Sequence, residues 1–153
     1  MRFIPERESG DFVFYKARTD TALRLPYIGN PVQAGFPSMA MDYTEKDLDL
    51  NEHLVANKEA TFFIMVKGDS MRDAHICNGD MLIVDRSIEP ANGRVALCII
   101  NGEYTVKTLR AFEKNGRKEL TLMPANPEFK PIPITESSEF EVWGIVTHVI
   151  HEL

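Results

Sequence analysis

The chain has 153 residues, a formal net charge of −6 and an isoelectric point near 5.2. Hydrophobic residues make up 44% and charged residues 26%, close to the averages for soluble globular proteins, which excludes a chain that is disordered throughout. The length predicts one domain with a hydrophobic core plus a short appendage, and the acidity argues against a surface built to neutralise nucleic-acid phosphates. We therefore expect any role near DNA to depend on protein partners.

The sequence shows neither a secretory signal nor a membrane span. The first ten residues, MRFIPERESG, carry charges and a proline where a signal peptide needs an apolar stretch, and the longest later apolar run, VALCII, is too short to cross a bilayer. We therefore expect a cytoplasmic protein in which Cys77 and Cys98 are reduced thiols. His75 and Cys77 form an isolated HxC pair, and since structural zinc normally requires four ligands, no metal or other cofactor is expected.

Residues 1–33 differ from the rest of the chain and predict an extended arm. Their apolar residues are widely spaced, and prolines interrupt any continuous pattern. The apolar positions include Phe12, Phe14, Leu23, Leu25 and Tyr27, and the prolines are Pro5, Pro26 and Pro31. After this arm comes a bond between small residues, Ala34-Gly35, between Pro31 and Pro37, which favour an extended backbone that a peptidase can bind.

The body that follows predicts one short helix and then a series of strands. Asp49-Leu50-Asn51-Glu52 has the form of a capping box, with Asp49 placed to accept a hydrogen bond from the Glu52 amide, so a helix is expected near residues 50–57. Beyond it, Asn-Gly occurs four times beside β-branched or aromatic residues, which indicates tight turns between strands. These turns are expected at residues 78–79, 92–93, 101–102 and 115–116.

Two hairpins are the clearest strand predictions. One joins residues 94–100 to 103–110 across Asn101-Gly102, and the other joins residues 107–114 to 117–123 across Asn115-Gly116. A last strand is expected over residues 140–150, which include Trp143. The predicted fold class is mainly β: a folded or rolled domain with one short helix and an extended N-terminal arm.

A candidate nucleophile lies in the motif KGDSM, residues 67–71. Taken alone, Ser70 is most simply a turn residue, because Gly, Asp and Ser all favour turns. Serine becomes a useful nucleophile only beside a base. The candidate base is Lys107 in the strand pattern EYTVKTL, although a single strand lysine is usually solvated or protects a sheet edge. Lys67 is an alternative base, but it comes only three residues before Ser70.

A lysine acts as a base only when it is neutral. With a reference pKa of ~10.4, roughly one lysine in 2,500 is deprotonated at pH 7, which corresponds to about 4.6 kcal/mol. Val106 and Leu109 flank Lys107 in an apolar strand pattern, and desolvation there is expected to lower the pKa of the ammonium by several units. The combination of a strand lysine, a serine turn and an upstream small-residue bond therefore favours a Ser-Lys peptidase that cuts its own chain.

The sequence also offers candidates for the oxyanion donor and for the bond that is cut. The backbone N–H of Ser70 is the candidate oxyanion donor, a kind of contact worth ~3 kcal/mol, and a second donor is not assigned. Ala34 would present a methyl group to a small pocket, and Gly35 would allow close approach of the backbone. Because the arm is tethered, the local concentration of this bond is high. The enzymatic alternative is a Ser-His-Asp triad that uses His53, His75, His148 or His151.

Seven motifs together resemble the LexA/UmuD family of self-cleaving Ser-Lys peptidases, also called S24, and within it the UmuD branch. The resemblance covers about residues 31–151. It rests on PVQAGFPS, DYTEKDLDLNEHL, KGDSM, NGDMLIVDRSIEP, NGEYTVKTL, LMPANPEF and VWGIVTHVI. The bond is Ala-Gly, as in LexA-type repressors, where the UmuD branch tends to have Cys-Gly, and the arm is somewhat longer than in that branch. Singly none of these motifs is specific, whereas the combination is.

The resemblance implies a LexA/signal-peptidase-like β fold in which Ser70 is the nucleophile, Lys107 the general base and Ala34-Gly35 the scissile bond. Residues 1–34 would be a regulatory arm removed by self-cleavage, and residues 35–153 the peptidase-like domain. It further implies a homodimer and cleavage stimulated by RecA filaments on single-stranded DNA in the SOS response. The processed form would join a UmuC-type Y-family DNA polymerase in error-prone translesion synthesis.

Two alternatives of other classes are weighed against this interpretation. A LexA-like transcriptional regulator is disfavoured, because about 34 residues before the bond are too few for a helix-turn-helix or winged DNA-binding domain and their charge is nearly balanced. A polymerase adaptor that does not cleave itself is the other alternative. The presence of both Ser70 and Lys107 favours the enzyme.

Overall fold

The computed structural model describes residues 7–9, 12–16, 21–22, 24–28, 34–35 and 45–153. Its strands are β1 (Arg7–Ser9), β2 (Phe12–Lys16), β3 (Arg24–Ile28), β4 (Glu45–Asp49), β5 (Thr61–Met65), β6 (Met81–Asp85), β7 (Val95–Ile100), β8 (Glu103–Lys114), β9 (Arg117–Met123), β10 (Ile132–Ile134) and β11 (Phe140–Ile150). The described residues also form helix α1 (Leu50–Leu54) and a short 3-10 turn (Arg72–Ala74). The mainly β fold class is therefore confirmed.

Within the described residues, nine strands form one antiparallel sheet in the order β1-β2-β5-β6-β11-β7-β8-β9-β10, and β3 and β4 form a separate two-stranded sheet. Both predicted hairpins are present, β7 with β8 and β8 with β9. Their turns have positive φ at both central residues, 49° and 82° at Asn101-Gly102 and 51° and 73° at Asn115-Gly116. This conformation suits the twist of antiparallel strands, and Asn and Gly tolerate it best. At residues 78–79 and 92–93 only the glycine has positive φ, and these turns lie within longer connections.

Helix α1 begins at Leu50, but two details of its prediction are wrong. The Asp49 side chain accepts a hydrogen bond from the Asn51 amide at 2.9 Å, not from the Glu52 amide. An N-cap carboxylate reaches either of these amides, and the backbone here presents the nearer one. The helix also ends at Leu54 rather than near residue 57, because Val55 adopts an extended backbone and is buried.

The last strand, β11, has the predicted bounds and lies between β6 and β7 inside the sheet. Its register with β7 shifts between Val142 and Gly144, which indicates a β-bulge that bends the strand. A Cβ atom at Gly144 would lie 2.7 Å from the Cγ1 atom of Val84. The glycine therefore permits the close approach of β11 to β6.

Buried side chains form two apolar clusters. The first consists of Phe14, Ile64, Met71, Ile76, Leu82, Val84, Leu97 and Val106, and the second of Ala96, Cys98, Leu109, Leu122 and Ile145. Strand β8 contributes to both clusters, and Lys107 follows Val106 on it. Cys77 and Cys98 are both free thiols, as expected. In the described part of the chain, no helix is long and apolar enough to cross a bilayer.

The described parts of the N-terminal arm are extended and pair with the body. Strand β2 pairs with β5, with Phe14 opposite Ile64, and β3 pairs with β4, with Pro26 opposite Asp47. Pro26 is exposed in a strand of the two-stranded sheet, where a missing N–H donor is tolerated. Pro5, Leu23 and Pro31 of the arm, and Pro37 after it, lie outside the described residues.

Candidate active site

Ser70 lies in the turn that connects β5 to the 3-10 turn. Two hydrogen bonds hold this turn from the segment after β9: the Ala125 amide donates to the Ser70 carbonyl at 2.9 Å, and Asn126 Nδ2 donates to the Asp69 carbonyl at 2.9 Å. Gly68 has φ +95°, a conformation that other residues rarely adopt, and its amide donates to Asn78 Oδ1. The local turn chemistry and the distant segment together fix the direction of the serine side chain.

Asn126 also holds the serine turn and was not identified from the sequence. This residue is 3% exposed, and both polar atoms of its side chain are hydrogen-bonded. Its Nδ2 group binds the serine turn, and its Oδ1 atom accepts a hydrogen bond from the Glu128 amide at 3.0 Å. In the sequence, Asn126 lies between two prolines in MPANPEF, which indicates a turn. A turn alone does not reveal a contact with Asp69, 57 positions away.

The structure brings Lys107 and Ser70 together. Lys107 Nζ lies 2.8 Å from Ser70 Oγ, 2.9 Å from Thr105 Oγ1 and 3.0 Å from the Val106 carbonyl oxygen. Lys107 is 6% exposed, opposite Ala96 in the β7–β8 pairing, while Ser70 is partly exposed. A buried amine at hydrogen-bond distance from an accessible hydroxyl has the geometry of a base beside a nucleophile.

The surroundings of Lys107 change its acidity in the expected direction. Burial lowers the pKa of the Lys107 ammonium below its ordinary value, and the nearby Cys98 thiol opposes this only weakly, because it matters only when ionised. Burial raises the pKa of the Cys98 thiol to about 12, so this thiol stays neutral at ordinary pH. Cys98 therefore supplies no charge that would keep the amine protonated.

The three oxygens around Nζ fit the neutral amine as well as the ammonium. The Val106 carbonyl only accepts hydrogen bonds, so one N–H must point at it, and the Thr105 hydroxyl accepts a second. The remaining direction, toward Ser70 Oγ, is left for the lone pair of the neutral amine to accept the serine proton. Thr105 was also missed from the sequence, although the two-residue period of a strand places it on the same face as Lys107.

In the part of the chain that the structure describes, none of the alternative bases is hydrogen-bonded to Ser70 Oγ. Lys67 lines the same cleft but is exposed. His148 Nδ1 lies 3.1 Å from Thr147 Oγ1, and His151 Nδ1 lies 2.6 Å from the buried Asp80 carboxylate. No histidine among the described residues is hydrogen-bonded to Ser70, so the geometry favours a lysine over a triad.

An open cleft beside Ser70 provides room for a peptide. Backbone and side chains of two segments form its walls, Val66, Lys67, Gly68, Ser70, Met71 and Ile76 on one side and Tyr104, Thr105 and Val106 on the other. Among the described residues, no hydrogen-bond acceptor pairs with the backbone N–H of Ser70, a residue that lines this cleft. Apolar walls next to a polar pair suit a small apolar side chain.

The structure does not place the Ala34-Gly35 bond in this cleft. Both residues are exposed in a bend of the connection between β3 and β4, and a Cβ atom at Gly35 would meet nothing within 4 Å. Neither residue contributes to the walls of the cleft. The Ala34-Gly35 bond is therefore exposed on a connecting segment and is not in contact with the cleft.

Comparison with known proteins agrees with the fold. The family model described as "Peptidase S24-like" matches residues 26–147. The chain belongs to the Peptidase S24-like family. The region shared with this family includes Ala34, Gly35, Ser70 and Lys107.

Several curated S24-like relatives match most of the chain. Protein ImpA of Salmonella typhimurium is 40% identical over 132 residues, 86% of this chain and 87% of ImpA. Protein MucA of Escherichia coli is 36% identical over 141 residues, 92% of this chain and 93% of MucA. The LexA repressor of Bordetella pertussis is 38% identical over 128 residues, 84% of this chain and 56% of the repressor.

Proposed function

We propose that this S24-like protein is a serine peptidase that cuts its own chain between Ala34 and Gly35, with Ser70 as nucleophile and Lys107 as general base. The observation that carries this proposal is the 2.8 Å separation between Lys107 Nζ and Ser70 Oγ at a lysine that is 6% exposed. Burial lowers the pKa of that lysine, which increases the neutral fraction needed for proton transfer.

In the first step, the neutral Lys107 amine takes the proton of the Ser70 hydroxyl as Oγ attacks the Ala34 carbonyl carbon. The resulting oxyanion is stabilised by the Ser70 backbone N–H. The Lys107 ammonium then donates its proton to the Gly35 nitrogen as the C–N bond breaks. The products are an ester between Ser70 and Ala34, a free Gly35 amine and a neutral Lys107.

In the second step, Lys107 activates water to hydrolyse the ester. The amine takes a proton from the water as its oxygen attacks the Ala34 carbonyl carbon, and it returns that proton to Ser70 Oγ as the ester bond breaks. The products are the original Ser70 hydroxyl and the Ala34 carboxylic acid, which then releases its remaining proton to solvent and becomes a carboxylate. Thr105 and the Val106 carbonyl hold Nζ in place through both steps.

Because Ala34-Gly35 lies outside the cleft, cleavage requires the connection between β3 and β4 to deliver the bond to Ser70. We propose that a RecA filament on single-stranded DNA favours this delivery, which would make cleavage respond to DNA damage. Residues 1–34 are then the regulatory arm and residues 35–153 the processed domain. Intramolecular delivery supplies a high effective concentration of the bond even if binding in the cleft is weak.

We further propose that the processed form is a homodimeric accessory subunit of a UmuC-type error-prone translesion DNA polymerase in the SOS response. The motif resemblance to the UmuD branch supports this role. So does the similarity to ImpA and MucA over 87% and 93% of their lengths, against 56% for the Bordetella LexA repressor. The net charge of −6 agrees with a role through protein partners rather than through phosphate contacts.

One experiment tests site, activity and trigger together. Purified full-length protein is incubated with RecA filaments on single-stranded DNA and ATP, and the products are identified by mass spectrometry and N-terminal sequencing. We expect a product that begins at Gly35, absent when the filament is omitted at neutral pH. A different N-terminus would refute the assigned bond. An intact chain both here and in alkali would refute the peptidase.

A further inference from the structure

The described residues of the N-terminal arm contact the body through backbone pairing at two places. Val13–Lys16 pair with Phe62–Met65 of β5, and Arg24–Ile28 pair with Glu45–Asp49 of β4. Between these two pairings, Asn51 Nδ2 donates a hydrogen bond to the Thr21 carbonyl at 2.6 Å. All of these contacts involve arm residues from 13 to 28, and all lie on the N-terminal side of Ala34.

Among the arm side chains whose burial the structure describes, Phe14 is part of the core. Phe14 is 2% exposed, and its ring centroid lies 4.9 Å from that of Tyr104 and 5.1 Å from that of Trp143. Ile64, opposite Phe14 in the β2–β5 pairing, belongs to the same apolar cluster. The β5 edge and the aromatic walls around Phe14 form a groove that the arm fills as an added strand, and we call it the β5 groove.

The proposed cut lies in the connection between β3 and β4, so it separates two strands that remain paired. Hydrolysis of the Ala34-Gly35 bond breaks no hydrogen bond of the β2–β5 or β3–β4 ladders and does not expose Phe14. We propose that the excised segment stays in the β5 groove as a noncovalently bound strand, and that its release is a separate step after cleavage. This inference relies on the proposed function only for the position of the cut.

Hydrolysis of the Ala34-Gly35 bond leaves the contacts between the arm and the β5 groove unchanged. It makes occupancy of the groove depend on protein concentration. In the uncut chain, the arm meets the β5 groove at a high effective concentration set by the connection. In the cut protein, occupancy depends on the actual concentration, so dilution releases the segment. Release would leave the β5 edge unpaired, and a partner that adds a strand at this edge must first displace the arm.

The test cuts the full chain without using its own chemistry. A Ser70→Ala protein carries the recognition sequence of a specific external protease beside Ala34-Gly35 and is cut to completion. We expect the two fragments to elute together on a native size-exclusion column at tens of micromolar and to separate on dilution. Trp143 is the single tryptophan of the chain and touches Phe14, so its emission should stay constant on cutting and shift to longer wavelength on dilution.

Substitutions in the arm test whether Phe14 holds the cut segment in the β5 groove. Phe14→Ala should weaken retention of the cut segment roughly a hundredfold, the effect of removing a buried aromatic ring, and Phe14→Leu should weaken it less. Leu25→Ala, at a side chain that is 44% exposed, is the matched control and should leave retention within about threefold. The uncut variants are first checked for wild-type circular dichroism.

Separate elution of the two wild-type fragments at tens of micromolar, or an immediate Trp143 shift on cutting, would overturn the inference. Equal retention in the Phe14→Ala and Leu25→Ala proteins would overturn the assigned groove. Because Ser70 is absent and an external protease makes the cut, these outcomes are independent of whether the chain cleaves itself. If the chain failed to cleave itself both in the RecA experiment and in alkali, the proposed function would be refuted. Retention of the externally cut segment would still be measured separately.

Discussion

Lys107 Nζ lies 2.8 Å from Ser70 Oγ, although 37 positions separate the two residues in the chain. Ser70 is placed by a turn after β5, and Lys107 by the middle of β8, on the far side of β6, β11 and β7 in the strand order. The curvature of the sheet brings the two together. The distance between Ser70 and Lys107 therefore depends on how the whole sheet is folded. A change that destabilises the sheet is expected to affect any reaction at the site.

The first prediction concerns pH. The proposed mechanism requires neutral Lys107, so the rate of self-cleavage in the absence of RecA should rise with pH and level off above the pKa of this lysine. Burial lowers that pKa, so the plateau should begin below the ordinary value of 10.5. Gel densitometry of the full-length protein over several hours, from pH 7 to ~10, measures the profile. A rate that does not change over this range would argue against a lysine base.

The second prediction concerns the two reacting groups. Ser70→Ala and Lys107→Ala should each remain full length in alkali and with RecA filaments, since either change removes a step that the other residue cannot supply. Lys67→Ala is the matched control, because Lys67 is an exposed lysine of the same cleft, and it should still cut within about tenfold of the wild-type rate. Normal cutting by Lys107→Ala would show that the base is misassigned.

The third prediction concerns Thr105 as a positioning residue. Thr105→Val removes the hydroxyl that holds Nζ at 2.9 Å, which should lower the plateau rate about tenfold. The midpoint of the pH profile should also move down, because the ammonium loses an acceptor. Thr108→Val, on the same strand but without a hydrogen bond to Nζ, should change neither quantity. An unchanged midpoint in Thr105→Val would reduce Thr105 to a structural role.

The fourth prediction concerns the energetic effect of burying Lys107. Between its lowered pKa and 10.5, the folded protein binds fewer protons than the unfolded chain, so this group makes stability increase with pH. In a Ser70→Ala background, Lys107→Met should therefore raise Tm at pH 7 by about 2–4 °C, and this gain should shrink toward pH ~10. Lys114→Met, at an exposed lysine of the same strand, is the control. A gain that is equal at both pH values would contradict the lowered pKa.

The fifth prediction concerns the clamp on the serine turn. Asn126→Ala leaves the Asp69 carbonyl and the Glu128 amide without their partner, which should lower the free energy of unfolding by about 1–3 kcal/mol. Asn92→Ala, at an exposed asparagine that accepts from the Ala111 amide, should have a smaller effect. Urea denaturation measures stability, and self-cleavage at pH ~10 shows whether the turn still positions Ser70.

The predictions that the structure confirms are local ones. Asn-Gly at 101–102 and 115–116 encodes its own positive φ angles, so both hairpins and their strands were readable from neighbouring residues. The bounds of β11 followed from its apolar pattern and from the turn residues before it. The start of α1 followed from Asp49, whereas its capping partner and its end did not, because the burial of Val55 decided where the chain leaves the helix.

The features that the sequence did not reveal involve residues far apart in the chain. The contacts of Asn126 and Thr105 with the candidate site, and the docking of Phe14 against Trp143, depend on which strands become neighbours. The position of β11 between β6 and β7 has no local signal, since its partners precede it by many residues. Side-chain pattern predicts that a strand exists and which face is apolar, but not the strand it joins.

The sequence by itself determined the mainly β class, the hairpin turns, the family and the pair of residues on which the proposed chemistry depends, because short motifs and backbone preferences encode them. Only the tertiary structure decided that Lys107 is buried within reach of Ser70, that Thr105 and Val106 surround its amine, and that arm strand β2 joins the large sheet beside β5. The physical reason is that desolvation and strand pairing are set by packing between distant segments, which no local pattern contains.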